Sequence, residues 1–354
     1  MNKIINILKE KKTIPLDQFI NISLYDKEFG YYMKKNPIGK KGDFITSPLI
    51  SNLFGEMIAI WCISLWEHLG KPKKILLVEL GPGDGTLCRD LLKTFMQFED
   101  FYNSLEINLL EISGKLKKIQ KSKIDNKKVK WIKKINEVKL GPAIFLGNEF
   151  FDGLPIKQIY KKKKLFFEKF VGLSKDHKKI KFLYKKANNN LIKQIQNLNL
   201  ISVGNIIEYP ITALNFLKSI AKKINKLGGG LLTFDYGYIS KKNQNTLQSV
   251  KKHKYINPLI NPGHSDITSH INFRLFYEIL KENKLNVKKI TTQNEFLKKI
   301  GIIERANILS KKMTFTEKAN MFYRLKRLIN YKEMGGLFKV LFAQKKDGKF
   351  SLGF

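Results

Sequence analysis

Three glycines at alternating positions are the residues of this sequence best suited to chemistry. An apolar segment, 74–80, runs into a turn and then a helical pattern, 86–98; the turn holds Gly81, Gly83 and Gly85. Such a strand–turn–helix segment lets the backbone approach a nucleotide-like ligand, because glycine has no Cβ and adopts dihedrals that other residues avoid. The spacing differs from the G-x-G-x-x-G of dinucleotide sites, and the lysine of a phosphate-binding loop is absent after Gly85.

Two acids flank this turn at positions suited to a nucleoside ligand. Glu79 lies two residues before the first glycine, which suits a ligand with a positive charge and hydroxyls better than a pyrophosphate. Glu111 ends the next apolar segment, 106–111, where an acid can accept hydrogen bonds from ribose hydroxyls. S-adenosylmethionine (SAM), with its sulfonium and ammonium groups, fits this description. The alternative is a tight turn between a strand and a helix, with Glu111 as a surface residue.

A second group of polar residues ends another apolar segment, 144–147. Asn148 and Glu149 follow it directly, and Asp152 comes three residues later. Ligands of open α/β sheets lie outside the carboxyl ends of the strands, so we expect Glu149 and Asp152 to face the same crevice as the glycine turn. Two carboxylates there can pair with a cationic substrate or act as a base. The alternative is a loop with a solvated acid.

The basic excess of the chain consists almost entirely of lysine. The 354 residues carry a formal net charge of +36, which by itself favours a nucleic-acid partner. Five of the 66 basic residues are arginine, and isoleucine and asparagine are abundant, a composition typical of a bacterial genome rich in A and T. Sites that read phosphate or bases depend on the planar fork of arginine. We therefore interpret the lysines as solvated faces and expect no specific nucleic-acid partner.

Cysteine usage and the apolar segments predict a cytoplasmic protein. Cys62 and Cys88 lie in separate helical patterns and form no metal box, which favours a reducing compartment and no bound metal. The longest apolar run, 54–66, is interrupted by Glu56 and is too short to span a bilayer. The first twelve residues lack the long apolar stretch of a secretory signal.

Strands and helices alternate from residue 74 onward, which predicts an α/β fold with a mostly parallel, Rossmann-like sheet and flanking helices. Residues 156–186 interrupt this alternation with short strand patterns, which predicts an inserted antiparallel lobe; the core is expected to resume at 206–208, and 240–270 reads as loop-rich. We divide the chain into an N-terminal helical segment (1–70), the cofactor-binding half of the core (71–155), the inserted lobe (156–205) and the remainder of the core with helical additions (206–354).

The chain resembles the MidA-type class I SAM-dependent methyltransferases over nearly its whole length. The resemblance rests on many motifs in one order: Tyr25-Asp26 with Gly30-Tyr31-Tyr32, 42–48, 53–56, 79–87, 148–155, Asp235-Tyr236-Gly237, 245–248, His253, Pro262-Gly263, 266–270, Gln293, and Met334-Gly335 with 337–340. Many motifs in sequence are far more specific than a single glycine turn.

The resemblance implies a class I methyltransferase fold, SAM as the cofactor and an arginine of a partner protein as the methyl acceptor. The mitochondrial member of the family is described as modifying an arginine on a subunit of respiratory complex I, which makes such a subunit the candidate partner. In this reaction an acceptor nitrogen displaces the sulfonium from the methyl carbon, and paired carboxylates hold the guanidinium. We assign that catalytic role first to Glu149, with Asp152 beside it.

Further residues of these motifs are candidates for the same site. Asn148 is a candidate for cofactor binding, and Asp43, Thr46 and Ser47 are candidates to close over the cofactor. Ser47 is equally suited to cap a helix that begins with Pro48.

Asp235, Tyr236 and His270 are candidates for a substrate crevice. The alternative for the first two is a simple strand end before Gly237, and for His270 it is a structural role.

Two other functions remain open from the sequence. One is an assembly factor for a respiratory complex that keeps the fold and SAM binding without catalysis. The other is an RNA methyltransferase, which the charge favours. An RNA enzyme would want an aromatic stacking residue beside the acceptor loop; Phe150-Phe151 is the nearest match and lacks the Pro-Pro turn of such motifs.

Overall fold

The computed structural model describes residues 2–34, 39, 42–43, 46–176, 178–198, 200, 205–240 and 244–354. The sequence also predicts a polar loop at 34–42, and that segment lies largely outside the described residues. The chain divides into two compact units, and each is described by itself. Unit 1 comprises Met1–Phe44, Phe151–Asn215 and Ile239–Leu275, and unit 2 comprises Ile45–Phe150, Phe216–Tyr238 and Phe276–Phe354.

The strands and helices are numbered in chain order. The strands are β1 (Thr13–Pro15), β2 (Ile75–Leu80), β3 (Leu105–Leu110), β4 (Val129–Ile132), β5 (Ala143–Asn148), β6 (Lys157–Lys162), β7 (Leu165–Leu173), β8 (Ile180–Lys186), β9 (Ile206–Tyr209), β10 (Gly229–Tyr238), β11 (Gln248–Lys251), β12 (Lys254–Ile256), β13 (Asp266–Thr268), β14 (Ile271–Asn272), β15 (Leu285–Val287), β16 (Thr291–Thr292) and β17 (Phe338–Lys345). The helices are α1 (Asn2–Lys11), α2 (Leu16–Tyr25), α3 (Tyr31–Lys34), α4 (Ser47–Ile50), α5 (Asn52–His68), α6 (Thr86–Phe95), α7 (Glu99–Ser104), α8 (Gly114–Lys123), α9 (Asn189–Asn197), α10 (Ile211–Leu227), α11 (Phe273–Glu282), α12 (Gln293–Lys299), α13 (Ile302–Ser310), α14 (Phe315–Ile329) and α15 (Met334–Leu337).

The main sheet of unit 2 has the strand order β15-β17-β10-β5-β2-β3-β4. The five strands from β10 to β4 pair in parallel, whereas β17 runs antiparallel to β10. All six residues of β2 are buried, as expected for a strand whose two faces are both covered by helices. The mostly parallel α/β fold predicted from the sequence is confirmed, and its strands lie within a few residues of their predicted bounds.

Helix α5 passes through the core of unit 2. It is apolar on nearly every side, and its Trp61 ring packs edge-to-face on Phe342 with ring centres 5.0 Å apart. The sequence predicts one helix over 49–69, but the structure breaks it after Ile50. Ser51 adopts an extended conformation, and its hydroxyl accepts a hydrogen bond from the N–H of Leu53 at 3.3 Å, which starts α5 afresh.

Unit 1 contains the predicted antiparallel lobe. Its sheet has the order β1-β7-β6-β9, with β8 paired to β7, and all pairs are antiparallel. Lys157 of β6 lies between Asp17 of α2 at 3.0 Å and Glu168 of β7 at 2.6 Å, so an ion-paired lysine joins the sheet to its covering helix.

One expectation for unit 1 was wrong. Residues 206–208 do not rejoin the main sheet; they form β9 beside β6. The reason is Glu208, whose buried carboxylate accepts hydrogen bonds from Gln158 at 2.7 Å and from the hydroxyl of Thr246 at 2.6 Å. The region predicted to be loop-rich, 240–270, is mostly irregular where the structure describes it, and it also contains a small sheet of β12, β11 and β13.

No helix in the described part of the chain is both long enough and apolar enough to cross a membrane.

Gly229 offers a test of the sheet's close packing. It has φ +91°, and an added Cβ would lie 2.0 Å from the carbonyl oxygen of Ala143 in the neighbouring strand. Gly70, with φ +83° and open space around it, is the matched control. We expect Gly70→Ala to cost about 1–2 kcal/mol of unfolding free energy, from backbone strain alone. Gly229→Ala should cost more than about 3 kcal/mol, because strand pairing must also open. Equal losses in urea unfolding would contradict this account.

Candidate functional site

The glycine turn joins β2 to α6 in a backbone conformation that explains its composition. Gly81, Gly83 and Gly85 have φ of 61°, 57° and 81°, all in the left-handed region. Gly81 also has no room for a side chain, since an added Cβ would lie 2.8 Å from the ring of Phe150. The predicted close backbone turn is therefore present at the carboxyl end of β2.

Gln120 of α8 fixes this turn, and it was missed from the sequence. Its amide nitrogen donates to the carbonyl oxygen of Gly83 at 2.8 Å and to the carboxylate of Glu111 at 2.9 Å. Its amide oxygen accepts from the indole N–H of Trp131 at 2.8 Å. The available signal was positional: Gln120 lies four residues after Leu116, on the buried side of α8.

Glu111 follows β3 and is nearly buried. One carboxylate oxygen accepts from the N–H of Ser113 at 2.7 Å, and the other accepts from Gln120. Burial raises the pKa of Glu111, and these hydrogen bonds oppose that rise. A carboxylate has about four acceptor positions, so the group retains capacity for ligand hydroxyls.

Two buried acceptors at the carboxyl ends of β2 and β5 lack protein partners. Within the described residues, Oε2 of Glu79 and Oδ1 of Asn148 have no hydrogen-bond partner. Glu79 pairs laterally with Leu146, and Asn148 lies two residues further along β5, so both side chains point to the same face of the sheet. Burial, and then the nearby carboxylate of Asp84, raise the pKa of Glu79 to about 8. A bound cation or hydrogen-bond donor would satisfy these buried acceptors at the strand ends.

Glu149 has a backbone conformation that is unusual for its residue type. Its φ is +51°, and its N–H donates to the carbonyl oxygen of Phe234 at 2.9 Å. One carboxylate oxygen accepts from the N–H of Ser47 and from the amide of Asn148, both at 3.4 Å. A left-handed conformation costs a non-glycine residue about 1–2 kcal/mol, and such strain persists where the surrounding structure holds it.

Ser47 does not cap a helix, so that alternative was wrong. Thr46 occupies the N-cap position of α4 without a side-chain cap, and Ser47 is already the first helical residue. The buried hydroxyl of Ser47 donates to Oε1 of Gln293 at 3.3 Å. Sequence reasoning placed the start of the helix one residue late.

Carboxylates and tyrosines gather in unit 1. The hydroxyl of Tyr31 donates to Asp43 at 2.6 Å, and the hydroxyl of Tyr32 donates to Asp266 at 2.9 Å. Asp43 also accepts from the N–H of Lys252 at 2.7 Å. Burial, and then the charge of Asp152, raise the pKa of Asp266 to about 7.

The chain passes from unit 2 to unit 1 between Phe150 and Phe151, so Glu149 and Asp152 belong to different units. Their facing a common crevice remains a prediction.

The remaining candidates have the following positions. Asp235 is fully buried on β10, and its carboxylate accepts from the N–H of Tyr236 at 3.0 Å. The Tyr236 ring packs edge-to-face on Phe338, with ring centres 5.8 Å apart. His270 is half-buried in unit 1, and its backbone N–H donates to the hydroxyl of Thr246 at 2.9 Å.

Glu79 predicts a specific pH dependence of stability. Its folded pKa, about 8, lies above its ordinary value of 4.5. The native protein therefore binds a proton more tightly than the unfolded chain, and this contribution to stability is full below about pH 4.5 and is lost as the pH rises through 8. We expect the melting temperature of the ligand-free protein to fall more steeply between pH 5 and 8 than that of Glu79→Gln. Parallel curves for the two proteins would show that Glu79 is already ionised at pH 5.

Comparisons with known proteins agree with this geometry. A family model described as "Putative S-adenosyl-L-methionine-dependent methyltransferase" matches residues 57–291. Protein arginine methyltransferase NDUFAF7, mitochondrial, from Xenopus tropicalis is 31% identical over 367 residues, covering 96% of this chain and 84% of the relative. The Homo sapiens protein of the same name is 29% identical over 357 residues, covering 94% and 80%.

A solved structure shows the same fold. A COG1565 superfamily member from Burkholderia thailandensis, bound to S-adenosyl-homocysteine, matches with a TM-score of 0.84 at 22% identity and covers 99% of this chain and 92% of its own. Because the family model matches well over half of the sequence, this chain belongs to the MidA-type family of class I SAM-dependent methyltransferases.

Proposed function

We propose that this enzyme transfers the methyl group of SAM to an arginine side chain of a partner protein. Glu149 is the observation that carries the proposal. Its carboxylate follows directly on β5, beside the unsatisfied Asn148, in a backbone conformation that the residue does not adopt without support. The relatives named as protein arginine methyltransferases support arginine as the acceptor.

The cofactor is held, in this proposal, by the residues around the glycine turn. The backbone of 81–85 approaches its nucleoside part, and Glu111 receives the ribose hydroxyls. Glu79 and Asn148 offer their unsatisfied oxygens to its cationic end. Thr46 and Ser47, at the start of α4, are proposed to close over it. Asp43 is the weaker member of this set, because both of its carboxylate oxygens already accept hydrogen bonds within unit 1.

Bound SAM supplies an electrophilic methyl group on a positively charged sulfur. A guanidinium is a poor nucleophile because its charge is delocalised and its pKa exceeds ~12. Glu149 accepts hydrogen bonds from one side of the guanidinium, concentrates positive charge there and leaves another nitrogen directed at the methyl carbon. The new C–N bond would form as the C–S bond breaks and the neutral thioether leaves, and the acceptor nitrogen would pass its proton to solvent. Most of the rate gain comes from aligning the two reactants.

Asp152 is proposed to orient the loop that follows Glu149. Its backbone oxygen accepts from the N–H of Ser269 at 3.0 Å, and the next carbonyl, that of Gly153, accepts from the hydroxyl of Tyr25 at 2.9 Å. The loop is therefore held by its backbone on both sides.

Asp235, Tyr236 and His270 stay candidates for binding the acceptor. The family resemblance favours a respiratory complex I subunit as that acceptor. Two buried, free thiols, Cys62 and Cys88, support a reducing compartment such as the cytoplasm.

Cofactor binding is tested by Gly83→Val. A β-branched residue is strained at φ +57° and fills the space between the turn and the ligand. We expect affinity for S-adenosyl-homocysteine, measured by calorimetry, to fall at least about tenfold, which is 1.4 kcal/mol. Gly114→Ala, at the open first position of α8, is the control and should bind normally. Undiminished affinity in Gly83→Val would place the cofactor elsewhere.

Methyl transfer is tested by Glu149→Gln, which keeps the shape and removes the charge. We expect turnover to fall by about a hundredfold with S-adenosyl-homocysteine affinity nearly unchanged, because the loss lies in the acceptor half of the transition state. Asp152→Asn should be milder. Glu106→Gln, on β3 with its carboxylate 3.3 Å from Lys130, is a control distant in sequence from both.

The assay uses labelled SAM, extract from cells that lack the gene, and mass spectrometry of the labelled residue. Near-normal turnover in Glu149→Gln would refute its catalytic role. Transfer of the labelled methyl group to RNA would support an RNA methyltransferase instead. Binding of the cofactor without methyl transfer to any acceptor would support the non-catalytic assembly factor.

A further inference from the structure

Helix α14 presents an outward face that its own fold leaves uncovered. Its buried residues, Met321, Leu325 and Leu328, lie on one side. On the other side, Phe315, Ala319 and Tyr323 follow one another at four-residue intervals. Phe315 is 87% exposed and Tyr323 is 66% exposed. Protein–protein interfaces are enriched in aromatic side chains, so two large aromatic residues on one exposed helix face indicate an interaction surface.

The first six residues of α14 are all exposed, yet they are helical. A capping box holds them: the hydroxyl and N–H of Thr314 donate to Glu317 at 2.8 and 2.9 Å, and the N–H of Glu317 donates back to Thr314 at 3.4 Å. Phe315 therefore stands on a rigid, capped turn, so that little conformational entropy is lost when a partner covers it.

Arginine use singles out the same region. Three of the five arginines of the chain lie between 305 and 327, although lysine supplies nearly all of its positive charge elsewhere. Arg305 has a structural partner in Glu56, at 2.9 Å. Arg324 and Arg327 lie next to Tyr323 along α14, and residues 308–332 hold seven basic residues against one acid. The planar guanidinium group of arginine binds a carboxylate through two parallel hydrogen bonds, and the ammonium group of lysine cannot form this pair.

We propose that this α14 surface, made of Phe315, Ala319, Tyr323, Lys326 and Arg327 with Arg324 at its flank, docks an acidic segment of a partner protein. The partner offers Asp or Glu carboxylates to the two arginines and an apolar side chain to the two aromatic rings. Docking is independent of the methyl-transfer chemistry.

Two other anionic partners fit the α14 surface less well. The continuous apolar stripe of α14 is buried in the protein, and the exposed face holds two separated rings with Ala319 between them, which is a small apolar area to insert into a lipid surface. Phe315 and Tyr323 are separated by eight residues, about 12 Å along the helix axis, which is too far for successive bases of a nucleic acid to stack on both. An acidic polypeptide, with side chains on a flexible backbone, can span that distance.

The test measures binding of a random copolymer of glutamate and tyrosine, with polyglutamate, phosphatidylserine vesicles and single-stranded RNA as the other ligands. Two variants probe the surface: Phe315→Ser/Tyr323→Ser removes the rings, and Arg324→Lys/Arg327→Lys keeps the charge but removes the forks. Two controls match them: Lys73→Ser/Lys74→Ser removes two exposed cations elsewhere, and Tyr255→Ser removes an exposed tyrosine that stands among lysines.

We expect each surface variant to bind the copolymer about tenfold more weakly, and each control to bind as the parent does. Circular dichroism should show unchanged helix content, since Phe315, Tyr323 and Arg324 are exposed and the half-buried Arg327 is replaced by lysine, which keeps its charge. Equal losses in variants and controls would overturn the proposal in favour of diffuse charge. Tighter binding to vesicles or RNA, lost in the surface variants, would overturn it in favour of a lipid or a nucleic acid.

Discussion

Taking a carboxylate out of water without a counter-charge costs several kcal/mol, and this cost raises the pKa of the buried Glu79 side chain at the end of β2 to about 8. Its position follows from the sheet: β2 is buried on both faces, so any polar residue near its carboxyl end is desolvated. The glycine turn begins two residues later. A cationic group beside Glu79 would stabilise its ionised form, which is the physical basis of the role proposed for this residue toward the cofactor.

Hydrogen bonds from neighbouring elements hold the glycine turn in place. One amide side chain, that of Gln120, joins the glycine turn, Glu111 and Trp131 through three hydrogen bonds. The turn is thus fixed by α8 and β4 as well as by its own dihedrals. The Gln120 side chain is fully buried, so the loss of any of these hydrogen bonds would leave a buried polar atom without a partner. The free-energy cost of such an atom exceeds the net stabilisation that one hydrogen bond contributes.

Lysine and arginine have different distributions in this protein. Lysine dominates the surface and serves in local contacts such as the pair of carboxylates around Lys157. Arginine is rare, and two of its five positions lie beside the exposed aromatic side chains of α14. The strongly basic composition of the whole chain is therefore weak evidence for a particular partner. The position of two arginines beside exposed aromatic side chains on α14 is more specific evidence.

The sequence by itself determined the features that depend on neighbours along the chain. The glycine turn, the acids at strand ends, the alternation of strands and helices and the antiparallel lobe all follow from spacing over a few residues, where side-chain type and backbone geometry are directly coupled. Tertiary structure decided the rest. Gln120 reaches Gly83 across 37 positions of sequence, and β9 joins the lobe because the carboxylate of Glu208 finds its partners there. The left-handed conformation of Glu149 is likewise set by strand pairing, since its N–H must reach the carbonyl oxygen of Phe234. Local patterns cannot specify such contacts, because a buried hydrogen bond depends on which distant donor the folded chain brings within 3 Å.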